Sequence, residues 1–203
     1  MALNRQKLYD GLLDALEKGK ETKSVSGGEE GEVEAKHTEG DVAGFIADAI
    51  VDYASDAEIL MLTGPFMIPV IPTPMADPVN IAQPVQVQTA DVGKAPLKAA
   101  IEAGFAAGDP VMVGVTTGVM AYIPASLLVF QGSPGGVATG VTVPTVPPIL
   151  APCMALGLAG AGEPEIVNLM ATIIHASFKA SIFNGLGLTL AGGAGPVVGQ
   201  PLL

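Results

Sequence analysis

The sequence is poor in the residues that carry out chemistry. Its 203 residues include no tryptophan, two histidines and one cysteine, Cys153. A single cysteine forms no internal disulfide, and its apolar neighbours predict a buried, inert thiol in a reducing compartment. Three tyrosines and six phenylalanines are the whole aromatic content. A stacking platform for bases or sugars is therefore not expected.

Charge is also scarce, and it is unevenly distributed. Fourteen of the 20 acidic residues and six of the 9 Lys and Arg lie within residues 1–58. From Pro110 onwards the charged residues are Glu163, Glu165 and Lys179 alone. A free soluble domain usually carries charge on about a quarter or more of its surface. The uncharged part therefore predicts a surface covered by other protein or by lipid. The net charge of −11 argues against nucleic-acid binding, which depends on Lys and Arg at phosphates.

Lipid is the alternative to protein cover, and the proline content argues against it. A spanning helix needs about 20 mainly apolar residues. The two best windows are residues 111–130, which contain glycines and a central Pro124, and residues 137–158, which contain four prolines. Prolines at this density interrupt the helical hydrogen bonds that lipid requires. A membrane-associated protein with broken apolar helices remains an alternative function.

No pattern of catalytic, phosphate-binding or metal-binding residues stands out in the sequence. It contains no G-x-x-x-x-G-K-[ST] loop and no cysteine or histidine pair at zinc spacing. Cys153 and His175 are one conceivable nucleophile and base, with only Glu163 and Glu165 to orient the histidine. The sequence predicts no enzyme, no catalytic residue, no cofactor, no metal and no identified small-molecule substrate. A binding protein or enzyme with a mostly backbone-lined pocket is the second alternative.

Two features allow both a functional and a structural interpretation. His37 lies in a glutamate-rich segment and is interpreted as solvated, whereas His175 is interpreted as a helix-surface or interface histidine. Asp48, Asp52 and Asp56 recur every four residues of a predicted helix, which aligns their carboxylates on one face. This acidic stripe fits a metal site, a partner site or a solvated face, and we favour the solvated face.

Four regions are predicted along the chain. Residues 1–20 are a docking helix, because leucines recur at helical spacing. Residues 21–40, rich in Glu, Lys and Gly, are a flexible acidic linker. Residues 41–93 are a helix, reaching about Leu62, and a Pro-rich extended arm. Residues 94–203 are an apolar core domain with a glycine-rich C-terminal strap.

Helices and strands are expected to alternate within the core domain. Helices are predicted at 94–108, 111–123 and 164–183, and strands at 84–89 and 137–143. The fold class is mainly α with minor β, with small-residue helices joined by long Pro/Gly-rich extended segments. Residues 94–185 are the expected packed core. We also hypothesise that residues 1–20 and 63–80 dock on neighbouring subunits, because their apolar faces lack a partner within their own segments.

Small-residue helices alternate with Val/Thr/Pro/Gly segments over Ala99–Tyr122 and Pro144–Phe183. This alternation resembles the structural proteins of tailed-bacteriophage virions, such as small components of baseplates, necks and tails. The resemblance transfers no functional residues. It implies a virion localisation after assembly in the host cytoplasm, with copies of the chain and other structural proteins as partners. Obligate interfaces are more apolar than free surfaces, which agrees with the missing charge.

Overall fold

The computed structural model describes residues 3–26, 32–61, 67–68, 75–76, 81–87, 90–107, 111–125, 127–130, 136–142, 150–188 and 194–201. The helices of these ranges are α1 (Arg5–Lys20), α2 (Glu39–Ala54), α3 (Ala90–Ala106), α4 (Val111–Ala125), α5 (Leu150–Leu158) and α6 (Glu163–Ala180). The strands are β1 (Thr22–Ser26), β2 (Glu32–Lys36), β3 (Glu58–Met61), β4 (Met67–Ile68), β5 (Met75–Ala76), β6 (Ile81–Val87), β7 (Leu127–Phe130), β8 (Gly136–Thr142), β9 (Ile182–Leu188) and β10 (Ala194–Pro201).

The fold is mainly α with minor β, which confirms the predicted class. The helices at 94–108, 111–123 and 164–183 are present as α3, α4 and α6, with ends displaced by a few residues. Helix α5 was not predicted from the sequence. Most of the Pro- and Gly-rich connections lie outside the described residues. So does most of the predicted arm 63–80, of which only β4 and β5 are described, as an antiparallel pair.

Helices α1, α2 and α6 form a three-helix bundle. Helix α1 starts at its N-cap Asn4, whose side chain accepts hydrogen bonds from the next turn, and α2 starts with a capping box between Thr38 and Asp41. Helix α1 runs antiparallel to α2, because Gly11 contacts Ala49 near the middle of both helices and Gly19 contacts Val42 at one end. The leucine stripe of α1 is thereby buried within its own chain rather than on a neighbouring subunit.

Small residues set the spacing of the next helices. Helix α3 lies antiparallel to α2, with Lys94 paired to Asp48 and Lys98 close to Gly44. Helix α4 then packs on α3 through glycines. A Cβ atom on Gly114 would lie 2.7 Å from the Cα atom of Ile101, which is inside van der Waals contact. Only glycine at this position allows the two backbones to approach so closely.

One hydrophobic core joins the helices. Its buried residues include Leu8 and Leu12 from α1, Ile46 and Ile50 from α2, and further residues of α3, α4, α5 and α6. Almost half of the buried apolar residues precede residue 94. The predicted core of residues 94–185 is therefore wrong in its boundary: α1 and α2 are part of the core rather than an arm beside it.

Six of the described strands form an antiparallel sheet in the order β10-β9-β8-β7-β6-β3. The C-terminal segment predicted as a strap is the β9–β10 hairpin of this sheet. The two outermost strands, β3 and β10, approach each other with Cα atoms within 8 Å, so the sheet is strongly curled. Helix α4 lies against β8. Glu58 in β3 is the only charged residue in the sequence of these six strands.

Two segments differ from their predicted structure. The predicted flexible linker 21–40 contains the antiparallel hairpin β1–β2, in which Thr22 is opposite Lys36 and Val25 is opposite Val33. Its high charge was read as disorder, whereas each charged residue of the paired strands is opposite an uncharged one, so no like charges face each other directly. The second predicted helix ends at Ala54 instead of Leu62, because the chain turns at 55–57 and continues as β3.

Substitution of Gly114 tests the contact between α3 and α4. We expect Gly114→Ala to lower the free energy of unfolding by about 1–3 kcal/mol, because the added methyl group collides with the backbone of α3. The matched control is Gly157→Ala in α5, where the new Cβ would lie 3.4 Å from the end of the Ile166 side chain. The control should be neutral or stabilising by up to about 1 kcal/mol. Denaturant unfolding of both variants measures the difference, and equal effects would contradict this packing.

Candidate functional site

The bundle of α1, α2 and α6 has two distinct ends. At the first end, the N-termini of α2 and α6 meet the C-terminus of α1, where Lys20 Nζ lies 2.6 Å from Glu163 Oε1. At the second end, the C-terminal half of α2 and the part of α6 from Asn168 onwards meet the N-terminus of α1. Arg5 at this end donates hydrogen bonds to the side chains of Asn168 and Thr172. Helices α2 and α6 are thus parallel to each other, and α1 is antiparallel to both.

Tyr53 and His175 join α2 to α6 at the second end. The Tyr53 side chain is fully buried, and its Oη atom lies 2.7 Å from His175 Nδ1. The ring of Phe178 packs edge-on against Tyr53, with ring centroids 5.4 Å apart. His175 is half-buried, so one ring nitrogen is held within the protein. The prediction of a helix-surface or interface histidine did not include this partner.

The surroundings of His175 favour its neutral form. Burial lowers the pKa of the imidazole, and the positive charges of Lys179 and Arg5 lower it further. Burial raises the pKa of the Tyr53 hydroxyl, which therefore keeps its proton. In a neutral imidazole with its proton on Nε2, Nδ1 is an acceptor, and the tyrosine hydroxyl donates to it. The pair is a buried hydrogen bond between two neutral groups.

The acidic stripe of α2 is engaged with lysines of the neighbouring helices. Asp52 and Asp56 accept from Lys7 of α1, at 3.1 and 2.9 Å, and Asp48 is paired with Lys94 of α3. Partial burial alone lowers the pKa of Lys7, but its hydrogen bonds to the two carboxylates outweigh burial and raise it. Asp48 and Asp52 are exposed, as the favoured solvated face predicts, and Asp56 is partly buried. No metal-binding group of acidic, His or Cys residues occurs among the described residues. The carboxylates of the stripe hold three helices together.

His37 is not the solvated residue that the sequence predicted. Its side chain is only 15% exposed, and its Nδ1 atom lies 3.6 Å from Asp41 Oδ2. The ring contacts Phe45 edge-on, with centroids 5.1 Å apart. Asp41 also binds Lys23 of β1 and the backbone of Thr38, which lowers the pKa of its carboxyl group. This cluster attaches the β1–β2 hairpin to the start of α2.

Cys153 lies far from His175. Its side chain is 1% exposed, and the thiol contacts the backbone oxygen of Ile166 at 3.8 Å. Burial raises the pKa of the thiol, which disfavours the nucleophilic thiolate. Ile166 and His175 are nine residues apart on α6, or about 13 Å along its axis. The conceivable nucleophile–base pair is therefore not brought together.

A groove of about 300 Å³ lies between α1 and α2. Gly11, Ala15, Ala49 and Phe45 contribute its apolar lining. Its carboxylates, from Asp14, Asp48 and Asp52, each form an ion pair with a lysine. The volume is at the lower limit for small-molecule sites, and the polar groups are already occupied by one another.

The outer face of the α3–α4 hairpin is exposed and nearly free of charge. Its exposed residues are Ala95, Pro96, Ala99, Ala103 and Ala106 of α3, Ala107 directly after it, and Thr117, Met120 and Ala121 of α4. Met120 is 44% exposed, which is high for a large apolar side chain. Lys98 and Glu102, the nearest charges on α3, form an ion pair along the helix at 3.2 Å. We call this surface the α3–α4 face.

Comparison with known proteins found no matching family model, no similar curated protein and no similar solved structure. Among the described residues, no helix is both long enough and apolar enough to cross a bilayer.

The burial of His175 near two cations makes stability depend on pH. Because the native pKa of His175 lies below its ordinary value of 6.5, the unfolded chain takes up the proton first on acidification. The contribution of this histidine is complete above about pH 7 and is lost as the pH falls through the native pKa. We expect His175→Asn, which keeps an acceptor near the Nδ1 position but does not titrate, to flatten the decline between about pH 7 and 5.

Thermal unfolding of the two proteins across this pH range measures the effect. Tyr53→Phe is the matched control, because it retains the histidine and removes its partner. It should cost about 1 kcal/mol at neutral pH and still lose stability on acidification. An equally steep decline in His175→Asn would contradict the assignment.

Proposed function

We propose that this chain is a structural component of a large protein assembly, acting through interfaces between subunits, and that the assembly is a tailed-bacteriophage virion. Within the virion, a tail, baseplate or neck position fits best. The observation that carries the proposal is the exposed, almost uncharged α3–α4 face on a protein whose charges are concentrated elsewhere. Its partners are copies of itself and other structural proteins of the same assembly.

The distribution of charge supports an assembly function. The ionic contacts of the described bundle lie on α1, α2, α3, the β1–β2 hairpin and the start of α6, whereas the sequences of α4 and α5 contain no charged residue. Exposed charge keeps a free protein soluble, so a surface without it is best retained when another protein covers it. The acidic residues of the N-terminal part would keep unassembled copies apart.

The size of the α3–α4 face agrees with a contact between subunits. Helix α3 has 17 residues and is therefore about 25 Å long, and two adjacent helices are about 20 Å wide. The face thus offers about 500 Å² per subunit, or about 1,000 Å² when two such faces meet, which is the lower limit of a specific interface. The small side chains allow another helix to approach closely, and Met120 offers a flexible apolar anchor.

The virion assignment rests on the resemblance of Ala99–Tyr122 and Pro144–Phe183 to phage structural proteins. The α3–α4 face belongs to the first of these segments, and α5 and α6 to the second. Catalysis has less support within the described residues, because Cys153 and His175 are separated and the groove carboxylates are paired with lysines.

Light scattering coupled to size-exclusion chromatography, on protein expressed alone without detergent, tests the proposal. We expect a discrete oligomer, or aggregation relieved by co-expressed partners, instead of a 20.4 kDa monomer. The double substitution Ala99→Glu with Ala103→Glu should weaken association on the order of 100-fold, because it places unpaired charges in an apolar contact.

The matched control is Ala99→Gln with Ala103→Gln, which adds side chains of the same size without charge. Glu and Gln have similar helix propensities, so both variants should retain the fold, as circular dichroism would verify. A stable wild-type monomer at every concentration, alone and with co-expressed partners, would contradict the proposed function. Equal association of the Glu and Gln variants would place the interface elsewhere on the chain.

A further inference from the structure

The first end of the bundle carries exposed glutamates without a lysine partner. Within the described residues, Glu21, Glu34, Glu39 and Glu165 are exposed and form no ion pair. They come from the end of α1, the β1–β2 hairpin and the first turns of α2 and α6. The ion pairs of Lys20 with Glu163 and of Lys23 with Asp41 hold these elements together. We call these four glutamates the acidic end.

The second end carries a stripe of the opposite character. Asn168, Thr172, His175 and Lys179 follow one another at intervals of three or four residues and therefore share one side of α6. Arg5 of α1 lies across this row, bonded to its first two members. We call these five residues the cationic stripe.

The cations of this stripe are not neutralised by nearby carboxylates. Within the part of the chain that the structure describes, Arg5, Lys36 and Lys179 form no ion pair, whereas Lys7, Lys18, Lys20, Lys23, Lys94 and Lys98 each do. Lys36 lies on β2, whereas Arg5 and Lys179 both act on His175. Lys179 is exposed. The effect of both cations on the pKa of His175 shows that they lie within electrostatic reach of the same ring. In a chain of net charge −11, this is an unusual concentration of uncompensated positive charge.

We propose that copies of the chain associate head to tail, with the acidic end of one copy docked on the cationic stripe of the next. This inference rests on the proposed assembly function and names one of its contacts. A second copy is the occupant because the chain itself carries both complementary surfaces. Within one copy, Lys179 in the last turn of α6 lies about 21 Å along the helix axis from Glu165 in the first turn, so its own acidic end does not reach this cation. Arg5, which is bonded to Asn168, lies about one turn from Glu165, so Lys179 is the part of the stripe that needs another copy.

A contact between different surfaces has a consequence for the form of the assembly. Two-fold dimers pair a surface with itself, whereas head-to-tail contacts leave one free end on every partial assembly. Such contacts produce a closed ring when the rotation between copies closes, and a filament when it does not. The α3–α4 face stays available on each copy for further contacts.

A charge-swap experiment on the full chain tests this contact. One variant reverses the stripe, through Arg5→Glu and Lys179→Glu, and the other reverses the acidic end, through Glu21→Lys and Glu34→Lys. These two glutamates lie outside the first turns of α2 and α6, so the favourable interaction of acids with the helix dipoles is retained. Each variant alone should self-associate at least about tenfold more weakly than wild type in sedimentation velocity at about 0.1 M salt.

The equimolar mixture of the two variants is the decisive sample. In the mixture, the reversed stripe of one variant docks on the reversed acidic end of the other, and the two unchanged surfaces dock as in wild type. The mixture should therefore associate within about threefold of wild type. Lys36→Glu is the matched control for Lys179→Glu, because it makes the same substitution on β2, away from the stripe, and should not weaken association. Circular dichroism verifies the fold of each variant. If Arg5→Glu disturbs α1, the single variant Lys179→Glu replaces the double variant, because Lys179 is exposed.

The outcomes separate this inference from the proposed function. Restored association in the mixture supports the head-to-tail contact. If wild type assembles and the variants assemble equally well, or if the mixture is not restored, the inference is overturned while the assembly function stands. If wild type remains monomeric even with co-expressed partners, both are overturned.

Discussion

The described helices depend on the position of α2, and Tyr53 is the residue through which that position is fixed. Its ring is fully buried against Phe178, and its hydroxyl is bonded to His175, so α2 and α6 are held in one register by a contact that is both apolar and directional. One turn away, Asp52 and Asp56 bind Lys7 of α1. Helix α3 is positioned in turn by the Lys94–Asp48 pair, and α4 by its glycine contacts with α3. Tyr53 therefore couples α2, and the helices that pack on it, to α6.

Local patterns in the sequence were sufficient for most of the helices, because the spacing of apolar residues and the capping residues act within a few positions. They failed where a contact joins distant parts of the chain. Tyr53 was counted as an apolar position of its helix, and nothing near it indicated a histidine 122 residues away. The six-stranded sheet was missed for the same reason: β3 and β6 pair across the Pro-rich segment, and β10 completes the other side. The β1–β2 hairpin was misread because charge was taken as a sign of disorder.

The acidic stripe of α2 is a sequence pattern whose role depends on the helices packed beside it. Carboxylates at every fourth residue are compatible with a solvated face, a metal site or a set of ion pairs, and α2 alone does not distinguish among them. The lysines that pair with it lie at Lys7 and Lys94, on helices before and after it in the chain, and the carboxylates of Asp48 and Asp52 stay exposed beside them. Solvation and ion pairing therefore occur together on this face.

The curled sheet limits how copies of this chain join. An antiparallel sheet with two open edges is a template on which a foreign strand adds itself by backbone hydrogen bonds, and proteins that aggregate often do so at such edges. Neighbouring strands are about 4.8 Å apart, so a strand inserted between β3 and β10 would need an opening of about 9.6 Å. These strands approach within 8 Å of each other, and the opening is too narrow at those residues. Strand addition between β3 and β10 is therefore blocked at that point of the sheet.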